Sequence, residues 1–159
     1  MSSTAPSYPP VVFCFTVSIA GASTGNDTSF QEVSGLTSEF TTFELKEGGE
    51  NRFSYQLPER AKYGNLILKR GIMLLNSPLA VWFESTFTAG LNEAITPQQI
   101  TVSLLDGAQQ PLLTWNFVDA WPVKWSVVDL NAEKNELAIE TMELAYSYFT
   151  RVVGSGNST

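Results

Sequence analysis

The sequence predicts a mainly β domain: a small β-barrel or sandwich with one flanking α-helix and a long extended hairpin. Three observations carry this reading. Most of the chain alternates apolar and polar residues with a period of two, as half-buried strands do. One segment, after Ser77-Pro78, has helical spacing. A strong turn, Glu47-Gly48-Gly49-Glu50-Asn51, joins two strand-like arms that are too polar for a core.

Residues 1–10 are small, polar and Pro-rich and read as a flexible N-terminal arm, stiffened at Pro9-Pro10. Val11 to Ile19 is the first strand, with Val11, Phe13, Phe15, Val17 and Ile19 on its buried face. Gly21 to Ser29 is a polar loop, and Phe30 to Val33 a second short strand. Leu36 to Leu45 is strand-like but thinly apolar: Phe43 and Leu45 share a face with Glu39 and Thr41, and Phe40 lies opposite with Thr42 and Glu44. After the glycine turn, Arg52 to Leu57 alternates Phe53, Tyr55 and Leu57. These two arms make the hairpin.

Asn65 to Leu75 is a buried strand with Lys69-Arg70-Gly71 inside it. The helix follows, with Ser77 as cap, Pro78 at its first position and Gly90 as the C-cap. Leu79, Phe83 and Phe87 recur every four residues, with Trp82 beside them. Gln99–Leu105, Pro111–Val118 and Trp121–Leu130 are three further strands. In 136–149 the apolar positions slip by one between Ile139 and Met142, which reads as a strand with a bulge. A helix is the alternative there; Tyr146-Ser147-Tyr148-Phe149 favours the strand. Residues 154–159, GSGNST, form a disordered tail, so a single domain spans 11–153.

Composition narrows the chemistry. Of 159 residues, 43% are hydrophobic and 12% aromatic, enough for one packed interior, and only 16% are charged, against ~25% in an average soluble chain. With nine Lys plus Arg and sixteen Asp plus Glu, the net charge is −7. Such a chain does not hold a phosphate backbone by bulk charge, nor an anionic membrane. No stretch approaches the ~20 apolar residues of a membrane helix, and MSSTAPSYPP lacks the basic start and apolar run of a secretory signal. Histidine is absent, which removes imidazole catalysis and imidazole metal sites. The sole cysteine, Cys14, has no partner for an internal disulfide and no imidazole to activate it; it reads as a structural thiol.

The remaining candidates for chemistry are weak. Glu136, Glu140 and Glu143 form the densest acid cluster, which a solvated face explains. ELKEGGEN lacks the spacing of a calcium loop. Gly48-Gly49 is not followed by Lys-Ser/Thr, so no phosphate loop is present. Lys69-Arg70 points to salt bridges rather than a ligand. The four tryptophans leave a carbohydrate-binding β-sandwich as an alternative of another class. No cofactor, metal or catalytic residue is expected. The hairpin points instead to assembly. Phe40, Phe43, Phe53 and Tyr55 keep its edges sticky, where exposed strand edges are normally blunted. Edge contacts with a neighbouring copy that close make a ring.

The chain also resembles a family, the tail-tube proteins of contractile phage tails and extracellular contractile injection systems. The resemblance lies in YPPVVFCFTVSI (8–19), FQEVSGL (30–36), EGGEN (47–51), LPERAKYGNLILKRG (57–71), the helix with Trp82, and AIETMELAYSYFTRV (138–152). The run from Glu47 to Gly71 is its most specific part. Where members often have a histidine near Tyr146, this chain has ELAYSYF. The resemblance implies six copies in a ring, hairpins joined into an inner barrel, and rings stacked into a hollow tube driven by a contracting sheath. Implied partners are further copies of the chain, the sheath protein, baseplate or tube-initiator and terminator proteins, and effector or DNA cargo in the lumen. A tube initiator or terminator is the alternative role within the family. The particle would be assembled in the bacterial cytoplasm and released as a virion tail or injection device, without membrane anchoring. On this reading Phe40, Phe43, Phe53 and Tyr55 close the ring. Glu39, Thr41, Thr42 and Glu44 are candidates to line the lumen. Glu47, Gly48, Gly49, Glu50 and Asn51 meet the next ring. The charge of −7 fits a tube held by a basic sheath surface.

Overall fold

A computed structural model describes residues 14–21, 27–45, 48–49, 54–72, 77–128 and 138–154. The predicted arm at 1–10 and most of the predicted tail, 155–159, lie outside them. The elements in chain order are β1 (Cys14–Ile19), β2 (Asp27–Ser34), β3 (Ser38–Leu45), β4 (Tyr55–Tyr63), β5 (Leu66–Gly71), α1 (Pro78–Ala89), β6 (Gln98–Leu105), β7 (Pro111–Val127), β8 (Ile139–Ala145) and β9 (Tyr148–Val153). A 3-10 turn, Gly90–Asn92, follows the helix.

Seven strands pair in the order β6-β1-β2-β5-β8-β7-β9, and β6 also pairs with β7, so the first six close into a hydrogen-bonded ring and β9 attaches to β7. The pairings are antiparallel. Closure depends on the length of β7, at 17 residues the longest strand described. Its first part pairs with β6 on one side and β9 on the other; Trp121–Val127 pairs with β8. The change of partner falls at Asp119, which has φ +52. An aspartate tolerates this left-handed region better than most residues. Ser147 stands beside it, donating its N–H to the Val118 carbonyl at 2.9 Å. The sequence reading placed two strands here, at 111–118 and 121–130. The local kink at Asp119 bends one strand instead of ending it.

Inward residues of adjacent strands meet by register. Leu66, Leu68 and Arg70 of β5 lie opposite Leu144, Met142 and Glu140 of β8. Val17, Phe30, Ile100, Val102, Phe117 and Ala120 complete the interior with Leu79 and Phe83 from the helix. Burying each of the two helical side chains contributes about 1.5–3 kcal/mol. The helix begins as its sequence predicts. Ser77 Oγ accepts from the Ala80 N–H, Pro78 occupies the first turn, and the N–H of Gly90 closes on the Thr86 carbonyl. Phe87, the third member of the predicted repeat, stays exposed.

The interior also holds an ion pair. Arg70 and Glu140 are 2% and 7% exposed. Arg70 Nε donates to Glu140 Oε2 at 2.7 Å, and Nη2 donates to Ser77 Oγ at 3.1 Å. Trp125 Nε1 donates to the other carboxylate oxygen, Oε1, at 2.7 Å. The guanidinium lies 5.1 Å from the centre of the Phe30 ring. One charge pair thus ties β5, β8, β7 and β2 to the helix N-cap.

Two expectations are corrected by this pair. Glu140 does not sit on a solvated face, although Glu143 remains at the surface; Glu136 lies outside the described residues. The 136–149 segment is not one bulged strand but two strands, β8 and β9, separated at Tyr146-Ser147. Residues 140, 142 and 144 alternate inward without a slip. The apolar pattern falters only because its first inward position is an acid. The expected salt bridges at 69–70 are present, the second being Lys69 to Glu32 at 2.8 Å across exposed strand faces.

Removing one partner of a buried pair leaves the other charge stranded, at a cost of about 3–5 kcal/mol. Glu140→Ala is expected to lower the unfolding free energy in denaturant titrations by that amount. The double change Arg70→Met with Glu140→Leu, which strands no charge, is expected to recover most of the loss.

Candidate functional site

The hairpin stands apart from the strand ring. Strands β3 and β4 pair with each other and, among the described residues, with no other strand. All eight residues of β3 are exposed, as are the first six of β4. The arms are longer on one side than predicted: β4 continues to Tyr63, past Pro58. Of the predicted ring-closing residues, Phe40 is 67% exposed, Phe43 52% and Tyr55 49%; Phe53 lies outside the described residues.

The register sorts these residues onto faces. Phe43 pairs with Leu57 and Leu45 with Tyr55, so toward the tip one face carries four apolar side chains. The other face carries Thr42 opposite Pro58 and Glu44 opposite Gln56. Sequence reasoning assigned Phe43 and Tyr55, but not Leu45 and Leu57, to ring closure. Alternation placed Leu45 beside Phe43, but cross-strand register was needed to show the full patch. The four lumen candidates divide accordingly. Thr42 and Glu44 lie on the more polar face, together with Phe40. Glu39 and Thr41 share the side of Phe43.

A bulge separates this distal half from the base. Two steps of β3, from Phe40 to Thr42, match three steps of β4, from Ala61 to Pro58. Thr41 Oγ1 fills the gap in the ladder: it donates to the Arg60 carbonyl at 3.3 Å and lies 3.4 Å from the Arg60 N–H. Glu39 faces Lys62 at 4.0 Å, both highly exposed, a contact of little energetic weight. At the tip, Gly48 and Gly49 form a turn in which Gly49 has φ +118. Glu47, Glu50 and Asn51 lie outside the described residues.

The base is tightly built. Gly35 has φ +83, and a Cβ there would run into the Asn65 carbonyl, so only glycine lets the outgoing and returning arms cross. The Gly64 N–H reaches the Thr37 carbonyl at 3.2 Å. Asn65 Nδ2 donates to Glu143 Oε1 at 2.7 Å. Four aromatic rings gather beside this crossing. Tyr63 ends β4, and its ring centre lies 6.0 Å from that of Tyr146 and 5.7 Å from that of Phe149. Both of those rings contact Phe117 of the core, at 4.9 Å and 5.7 Å. The Tyr146 hydroxyl is buried with no hydrogen-bond partner among the described residues. Its burial, with a smaller contribution from Tyr63, raises the phenol above its usual 10.0.

Elsewhere the described surface offers little chemistry. A shallow cavity of about 320 Å³ lies between the end of α1 and the start of β6, lined by Trp82, Thr86, Glu93, Ile95 and Gln98 among others. Glu93 is its one titratable group, so it holds no acid–base pair. No group of three or more His, Cys, Asp or Glu suited to a metal occurs among the described residues, and among them no helix is long and apolar enough to cross a membrane. Trp82 and Trp115 pack against the core; Trp125 donates to Glu140, and it and Trp121 are 36% and 38% exposed.

The comparisons agree with the geometry. The family model of the T4-like virus tail tube protein gp19 matches residues 11–150, so the chain belongs to that family, a family of structural tail-tube proteins. A chain in the cryo-EM structure of the anti-feeding prophage baseplate, 6-fold symmetrised, is similar at 29% identity, with 96% of this chain and 98% of that one covered and a TM-score of 0.71. A chain of the PVC extracellular contractile injection system, in its extended sheath-tube complex, is 26% identical over 96% and 99% of the two chains, TM-score 0.76. A chain from the PVC sheath/tube terminator is also 26% identical, over 94% and 100%, TM-score 0.75. No curated protein matches the sequence.

Tyr146→Phe removes a buried hydroxyl without a partner and is expected to raise unfolding free energy by about 1 kcal/mol. The sign of the pH dependence follows from the raised pKa. Below pH 10 the phenol is neutral in both states and its burial carries no ionisation penalty. Above pH 10 the unfolded chain ionises while the buried group resists, so stability falls as pH rises toward and through the folded value. Thermal melts between pH 8 and pH 11 are expected to show a steeper alkaline loss in the wild type than in Tyr146→Phe.

Proposed function

We propose that this tail-tube family member is the repeating subunit of the inner tube of a contractile injection device or phage tail. Six copies close into a ring through their β3–β4 hairpins, and rings stack into a hollow tube. The observation that carries this reading is the hairpin itself: two solvent-exposed strands, clear of their own core, with Phe43, Leu45, Tyr55 and Leu57 on one face. Large exposed apolar patches mark interaction surfaces. A strand pair with free edges extends a ladder into a neighbour.

On this reading the apolar face packs on protein and the face with Thr42, Glu44 and Gln56 lines the channel. Phe53 belongs to the closure between copies, Phe40 shares the channel side with Thr42 and Glu44, and Glu39 and Thr41 lie on the protein side. The channel carries effector protein or DNA, and the outer wall meets the sheath. The tube works without enzymology or a cofactor: many strand pairings around each ring give stiffness to a passive conduit. Assembly precedes release and takes place in the bacterial cytoplasm. The similar chains from a baseplate and a terminator structure support a second role, a tube-end subunit of the same fold that meets baseplate or cap proteins on one face.

Negative-stain microscopy of the purified protein tests assembly directly, with rings or tubes expected. Phe43→Pro removes an N–H from β3. If that N–H points at Leu57, the hairpin breaks; if it points outward, the neighbouring copy loses a ladder bond. Either way the variant is expected to give soluble, folded subunits with no rings, and normal rings would reject hairpin closure.

The turn at 47–51 is proposed to touch the next ring, its acids meeting basic residues such as Arg60 and Lys62 there. Glu47→Lys with Glu50→Lys is then expected to yield single rings with few or short tubes. Long tubes at wild-type yield would exclude the loop from stacking, and loss of the rings would assign it to ring closure.

A further inference from the structure

We propose that Tyr63, packed against the rings of Tyr146 and Phe149, is a positioning residue that aims the β3–β4 hairpin relative to the strand ring. The inference rests on the ring-closing role proposed for the hairpin and adds what sets its direction.

A two-stranded hairpin with no further strand partner turns freely about its base unless something there resists. At the base the β2–β5 ladder ends at Ser34 opposite Ile67 and the β3–β4 ladder begins at Ser38 opposite Tyr63; between them the arms cross at Gly35 and Asn65, Thr37 bonds Gly64, and Asn65 Nδ2 donates to Glu143 Oε1. These links hold the arms together, and the break in the ladder at 35–37 and 64–65 is the place at which the pair can bend. A side-chain contact from β4 that spans this break is aromatic. Tyr63 is the last residue of β4, and its ring meets Tyr146 at 54° and Phe149 at 72° between planes. Edge-on and tilted pairs of this kind prefer defined geometries. Both partner rings contact Phe117, which is fully buried in the core. The chain of contact therefore runs from the buried interior, through two rings, to the residue at which β4 ends as the hairpin's returning arm rejoins the body. Tyr146 sits between β8 and β9, where its ring is held from both sides despite an unpartnered hydroxyl. Its place here follows from shape rather than hydrogen bonding.

The functional consequence is arithmetical. A hairpin that points correctly for only about one tenth of the time weakens each contact with a neighbour about tenfold. Ring closure multiplies that loss over every contact in the ring. Rigid aim at the base is thus a requirement for edge pairing at a distance from the body.

The test reads direction and assembly separately. Spin labels at Ser54→Cys and Gln99→Cys, in a Cys14→Ser background, report the distance from hairpin to body by pulsed electron resonance, with labelled chain diluted into excess unlabelled chain. Tyr63→Ala is expected to broaden that distance distribution, to leave the thermal unfolding of the body nearly unchanged, and to abolish tubes in electron micrographs. Tyr63→Phe, which keeps the ring, is expected to restore the narrow distribution and the tubes. If Tyr63→Ala precipitates, Tyr63→Leu is read in the same way. An unbroadened distribution in the ring-less variant overturns the clamp, whatever becomes of the tubes. A broadened distribution with tubes of normal length overturns hairpin closure, and with it the clamp's part in assembly.

Discussion

The buried pair of Arg70 and Glu140 is the constraint around which the body is arranged. A charge out of water is tolerable only with a close opposite charge and hydrogen bonds to spare. Here each requirement draws in a different element. The carboxylate needs a second donor, and the Trp125 indole of β7 supplies it. The guanidinium reaches Ser77, which also caps the helix, and it lies against the Phe30 ring of β2. The β5–β8 register, the position of the long strand and the start of the helix are therefore not independent choices. A slip of one residue between β5 and β8 would strand both charges, which makes the register far more specific than apolar packing alone would. The helix cap carries the same coupling: Ser77 Oγ serves the Ala80 N–H and the guanidinium together, so docking the helix and satisfying the arginine are a single event.

This explains which parts of the fold were legible in the sequence. The helix was readable because cap, proline and C-terminal glycine are local signals that agree with one another. The hairpin was readable because a double glycine among acids sits between arms too polar to be core and too aromatic to be loop. Two errors share one cause, a non-local fact. The inward acid at 140 made a regular strand look slipped, since an apolar-pattern reading assigns acids to solvent. The kink at Asp119 looked like a strand end, since nothing in 111–130 reveals that two different partners divide its length. The division of the hairpin into an apolar and a more polar face was half-visible. Phe43 and Leu45 announced one side, but Leu57 and Tyr55 join them only through the cross-strand register, which the bulge at Arg60 shifts.

Family membership and physical reading meet at the hairpin but contribute different things. The family supplies the expectation that copies of the chain assemble. The geometry supplies a reason that this body needs a partner: a core complete without β3 and β4, and an extension whose apolar face has nothing among the described residues to cover it. Neither by itself fixes which residues face the channel. The alternation of Thr42 and Glu44 against Phe43 and Leu45 does favour one side, because a wet channel and a protein contact want opposite chemistry.

An exposed hairpin of this kind carries a hazard, since open edges recruit strands indiscriminately. The described residues show how the hazard is confined. Pro58 removes one donor from β4. The bulge between Phe40 and Thr42 twists the pair and occupies Thr41 with Arg60. Glu39 and Lys62 place charges of both signs near the base. These are the usual means of blunting an edge, and they fall in the half nearest the body. Beyond them, from Phe43 to Leu45 and from Tyr55 to Leu57, the described strands carry a single charge, Glu44, and it lies on the other face. The paired apolar side chains are therefore concentrated in a short distal patch, and Phe40, 67% exposed, is the large apolar side chain left on the stem. An unordered strand meeting the stem finds charges, a proline and an irregular ladder. Net charge of −7 on each subunit adds a long-range repulsion that short-range pairing must overcome, and this favours the one arrangement in which many such pairings form together.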